Sequence, residues 1–101
     1  MPEKLCPKME ATLEILGKKW IGLIVFTLLS GPKKFSEVEK FIPGLSSRML
    51  AERLKELEKL DIIKKTIYPE TPVRIEYILT QKGIDLSTTF DAIGAWAEKW
   101  N

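Results

Sequence analysis

The stretch SEVEKFIPGLSSRMLAERLKELEKL, Ser36 to Leu60, decides the fold. Ser36 with Glu39 three residues later has the form of a capping box, which opens a short helix carrying Val38 and Phe41. Pro43-Gly44 stops that helix, and Ser46 is placed to cap the next one. In the second helix, about 47–60, Leu50, Leu54 and Leu57 recur at i, i+4 and i+7 and mark a core face, with Leu45 before the cap stapled onto Leu50. Arg48, Glu52, Lys55 and Lys59 fall in one stripe on the opposite face, with Ser47 and Ala51 beside them.

Downstream, Ile62 to Tyr68 and Val73 to Leu79 read as two strands joined by Pro69-Glu70-Thr71-Pro72, a hairpin over about 62–79. Thr80 then caps a last helix, about 81–100, in which Leu86, Phe90, Ile93, Ala97 and Trp100 recur at heptad-like spacing with Trp96 nearby. Upstream, Pro7 opens a first helix, about 7–16, with Met9, Leu13 and Leu16 on one stripe, and Gly17 is placed to end it. Lys19 to Leu29 is apolar nearly all round, as expected of a central helix surrounded by others. This order predicts a mainly α fold with a small β-hairpin wing, an α+β winged helix-turn-helix, occupying residues 1–101 as a single domain.

The chain of 101 residues has one cysteine and no histidine, so it can build neither an internal disulfide, nor a multi-cysteine zinc cluster, nor a histidine-based triad. With no glycine-rich phosphate loop, no cofactor is expected, and the chain does not read as an enzyme. Its longest apolar run is shorter than a membrane span, and Met1 to Pro7 lacks the apolar region of a signal peptide, so no membrane partner is expected and the cytoplasm is the expected location. Net charge is only +2; the cationic excess lies before residue 75, and the C-terminal segment is slightly acidic. The C-terminal segment is therefore the part of the chain least suited to meet a polyanion.

Gly17-Lys18-Lys19-Trp20, Gly31 to Glu37, Ile42 to Leu50, Tyr68 to Tyr77 and Leu79-Thr80-Gln81-Lys82-Gly83 together resemble the signatures of the HxlR family of transcription regulators, which is related to the MarR group. The likeness spans about residues 6 to 100. It implies a dimeric, sequence-specific binder of double-stranded DNA, and some relatives respond to electrophiles or oxidants through an N-terminal cysteine.

Each candidate DNA contact has a plain structural reading beside it. Arg48, just inside the recognition helix, has the guanidinium fork that suits guanine or phosphate, or is a solvated surface arginine. Ser46 and Ser47 begin the same helix; Ser47 suits phosphate or base, and Lys55 phosphate. Glu52 suits a cytosine amino group, or simply orients Arg48 and Lys55. For Arg53, packing and phosphate contact weigh equally. Arg74 in the wing suits the minor groove or a phosphate, against an ion pair within the hairpin; Lys64 and Lys65 suit phosphate, against simple solubility.

Met9 and Leu13 with Leu86, Phe90, Ile93, Trp96, Ala97 and Trp100 are expected to form a homodimer interface, the alternative being packing within the chain. Cys6, between Lys4 and Lys8 at a helix N-terminus, is the candidate redox sensor, against an incidental thiol. A winged-helix protein-interaction module without DNA binding is the competing function, distinguished by the absence of a steep salt dependence.

Overall fold

The computed structural model describes residues 6–101. It contains α1 (Pro7–Leu16), α2 (Ile21–Leu28), α3 (Phe35–Phe41), α4 (Ser47–Lys59), β1 (Ile63–Tyr68), β2 (Arg74–Leu79), α5 (Gln81–Ile84) and α6 (Ser87–Trp100). The strands pair antiparallel from Ile63 opposite Leu79 to Tyr68 opposite Arg74. Lys33 adds a single bridge to Tyr77, so the segment ahead of α3 leans on the wing.

The core forms where α2, α3, α4 and the base of the hairpin meet. Ile21, Ile24, Val25 and Leu28 of α2 pack with Val38, with Leu50, Leu54 and Leu57, and with Ile63, Tyr77 and Leu79. The expected leucine face of α4 is fully inside. Leu45 is buried as well, ahead of the cap, and Ser46 Oγ accepts the Met49 N–H at 3.1 Å. Gly44 holds φ +85°, the left-handed conformation that lets the chain turn between α3 and α4.

Four details differ from the sequence reading. The first is the start of α3, which begins at Phe35 rather than after a Ser36 cap. Glu37, not Glu39, closes the box by accepting the Lys34 backbone N–H at 2.8 Å, while Glu39 faces α4. The second concerns the link after α1: Gly17 ends the helix as expected, with a right-handed φ of −78°, but the left-handed residue of the connection is Trp20, at φ 81°, rather than a glycine. Third, the last helix is broken. Thr80 Oγ accepts the Gly83 N–H as expected, but Leu86 bonds back three residues to Gly83 and the ladder restarts at Ser87. Gly83 allows a close approach ahead of the break: a Cβ there would lie 2.4 Å from Ile62 O, so α5 is pressed onto the segment entering β1.

Fourth, α2 is enclosed on one side only. Leu23 and Phe26 remain more than half exposed, at 52% and 56%. Neither α1 nor α6 contains a buried residue, and the chain is elongated, 56 × 29 × 23 Å. Its radius of gyration, 15.1 Å, exceeds the roughly 13 Å of a compact chain of this length. Among the described residues no helix is long and apolar enough to cross a membrane.

Candidate nucleic-acid interface

The polar stripe of α4 faces solvent as a consequence of its leucine face being buried. At 100° per residue Arg48, Glu52, Lys55 and Lys59 lie opposite the mean direction of Leu50, Leu54 and Leu57. Arg48 is almost wholly in solvent, with its side chain 92% exposed and only a loose 3.8 Å approach to Glu52. The Glu52 carboxylate thus orients Arg48 without neutralising its reach, and Lys55 is exposed beside it.

Arg53 lies a quarter-turn away and faces inward. Its Nε donates to Lys19 O at 2.9 Å and its Nη1 to Glu56 Oε1 at 2.6 Å, with the side chain 17% exposed. Of the two readings open for Arg53, the geometry favours packing. Glu56 also receives Lys18 Nζ at 2.8 Å, and this hydrogen bond, helped by Arg53, holds its carboxyl below the usual carboxylate range despite partial desolvation.

At the start of α4 the two serines have opposite commitments. Ser46 Oγ is an acceptor, for the Met49 N–H. Ser47 Oγ donates to the carboxylate of Glu39 on α3. That tie escaped the sequence reading, which had assigned Glu39 to the cap of its own helix.

In the wing, Arg74 is held within the hairpin. It makes two hydrogen bonds to Glu70, at 3.1 and 3.3 Å, and one to Glu76 at 3.0 Å, and lies 4.0 Å from the centroid of the Tyr68 ring. The Glu70 hydrogen bonds push its pKa above the ordinary arginine value. Of the two readings open for Arg74, the geometry favours the ion pair within the hairpin. Lys64 and Lys65 are exposed on opposite faces of β1, Lys65 Nζ lying 5.9 Å from the Tyr77 ring centroid.

The candidate interface between copies has a split character. Met9, Leu13, Ile93, Trp96 and Trp100 are exposed, Trp96 and Trp100 at 60% and 65%, whereas Leu86 and Phe90 pack partly on the chain's own core and Ala97 is half-buried. Leu16, Leu23, Phe26, Phe90 and Ile93 line an apolar groove between α2 and α6. Leu23 and Phe26 were missed by the sequence reading, although the all-round apolarity of α2 was their signal. Cys6 is exposed at the N-cap position of α1, with Lys8 following; Lys4, its other expected neighbour, lies outside the described residues.

The model of the HxlR-like helix-turn-helix family matches residues 15–101. Over 100 residues the chain is 48% identical to the HTH-type transcriptional regulator YodB of Bacillus subtilis, covering 99% of this chain and 89% of that one. It is 50% identical over 97 residues to the uncharacterised HTH-type transcriptional regulator YvaP of the same organism, covering 96% and 90%. The reduced form of B. subtilis YodB superimposes with a TM-score of 0.88 at 48% identity, covering 96% of this chain and 95% of that one. Quinone-bound YodB superimposes at 0.83 and 44% identity, over 94% and 100%. The redox regulator HypR in its oxidised form gives 0.86 at 33% identity, over 95% and 98%. The chain belongs to the HxlR-like helix-turn-helix family and is a transcriptional regulator of that type.

Proposed function

We propose that this regulator acts as a homodimer on duplex DNA at an inverted repeat, with α4 of each copy in a major groove, and that Cys6 makes it responsive to oxidants or electrophiles. The observation that carries the DNA reading is the exposed α4 stripe headed by Arg48, the least covered guanidinium in the fold's recognition position. Lys55, Lys64 and Lys65 supply phosphate contacts; Arg53 and Arg74, engaged within the chain, position α4 and the wing.

The dimer is supported by the exposed aromatic end of α6, the open face of α2 and the elongated shape. Two copies joined there would set their recognition helices about 34 Å apart, one turn of DNA. The redox reading is supported by the exposure of Cys6 and by a 48% identical relative described in reduced and quinone-bound forms. As the chain's one cysteine, Cys6 can form a disulfide only with another copy or a small thiol. With a quinone, its thiol adds across the conjugated C=C, forming an S–C bond while the proton ends on the ring oxygen.

The test is Arg48→Ala on an operator obtained by selection from random duplexes. Binding weakens by about 1–3 kcal/mol with the fold intact. Unchanged affinity overturns the α4 assignment.

A further inference from the structure

Ser47 and Glu39 form a pair whose polarity is determined by its chemistry. A serine hydroxyl has one proton, and an ionised carboxylate can only accept. Their hydrogen bond therefore runs from Ser47 Oγ to Glu39, and every remaining hydrogen-bonding site on the two groups is an acceptor. Ser46 is the reverse case: its oxygen accepts the Met49 N–H, so its proton stays free to donate. Ser47 is exposed at the first position of α4, next in sequence to Arg48.

An acceptor-only pair repels phosphate oxygens and also the guanine O6, guanine N7 and thymine O4 acceptors of the major groove. It matches the exocyclic amino groups, adenine N6–H₂ and cytosine N4–H₂. We propose that Ser47, with its polarity fixed by Glu39, reads a base amino group at one position of each half-site, and that Ser46 beside it donates to phosphate. Glu39, on the first helix of the pair, is thus a positioning residue for sequence readout. The inference rests on the DNA-binding reading above and deepens it.

Selection from random duplexes with the wild type, Ser47→Ala and Glu39→Leu tests this. Wild type selects a position at which A and C exceed G and T, and Ser47→Ala loses that preference while keeping the rest of the site. Glu39→Leu, similar in size but with no acceptor, frees the hydroxyl proton of Ser47 and relaxes the same position toward G and T. On one fixed duplex, replacing the contacted adenine or cytosine by an analogue lacking the amino group weakens wild type about three- to tenfold and Ser47→Ala hardly at all. Ser47→Thr, which keeps the hydroxyl, retains the preference and shows that the loss in Ser47→Ala is not a folding defect. Unaltered selection by Ser47→Ala or by Glu39→Leu overturns the proposal while leaving the regulator reading intact. A wild type that selects no sequence overturns both.

Discussion

Lys18 Nζ lies 2.8 Å from Glu56 Oε2, joining the α1–α2 connection to the third turn of α4. Arg53 closes the same junction by bonding both Glu56 and Lys19 O. The base of α1 and the orientation of α4 are therefore mechanically linked through one carboxylate, across a sequence separation of 38 residues.

That carboxylate predicts a pH dependence. Its folded-state pKa is lowered, chiefly by the Lys18 hydrogen bond, so the stabilisation is fully present above the unfolded value of 4.5 and is lost as pH falls through the lower folded value. Glu56→Gln should cost up to about 1 kcal/mol at pH 7, since the pair is partly solvated. Thermal unfolding at pH 7 and below pH 4 checks this: the gap between wild type and variant narrows in acid, and a gap independent of pH contradicts it.

Gly83 predicts a steric cost. A methyl there would stand 2.4 Å from Ile62 O and 2.9 Å from Leu79 Cδ2, and the first of these is backbone that cannot swing aside. Gly83→Ala should lower stability by about 1–3 kcal/mol, measured by denaturant unfolding. A neutral result would mean that α5 can lift from β1 freely.

Asp61 offers a gain. It ends α4 at φ 59°, with its N–H on Glu58 O and the Ile62 N–H on Leu57 O, the paired bonds of a Schellman motif. Glycine adopts this conformation without the Cβ penalty, so Asp61→Gly should stabilise by about 0.5–1 kcal/mol. A lowered midpoint on denaturant unfolding would contradict the assignment.

These sites also mark where the sequence was readable. The Leu50, Leu54 and Leu57 period exposes both the core face of α4 and, by geometry, its polar stripe. Local signals such as the Ser46 and Thr80 caps are equally visible because partner and cap lie three residues apart. Long-range polar ties have no such period. Glu39 reaches Ser47 across a turn, and Arg53 reaches Lys19 across the core edge, so charge counting alone left Arg53 as open to phosphate as to packing. The close approach of Ile62 O to Gly83, ahead of the break between α5 and α6, was hidden for the same reason, being a contact across 21 residues of sequence.

Phe26 bears the prediction about assembly. It lies on the face of α2 opposite the buried Ile21, Ile24, Val25 and Leu28, in the groove with Leu23 and Ile93. Exposed apolar surface of this kind is costly in water, and under the proposed dimer a second copy would cover it and bring its own Trp96 and Trp100 out of solvent. If so, Phe26→Glu places charge in the interface without touching the chain's own core. Sedimentation at working concentration should then show wild type as a dimer and the variant as a monomer with unchanged helical circular dichroism. The variant should also lose inverted-repeat affinity far more than affinity for a single half-site, because only the paired recognition helices have been uncoupled. A wild type that sediments as a monomer, or a variant that remains a dimer, would assign Leu23 and Phe26 to some other contact.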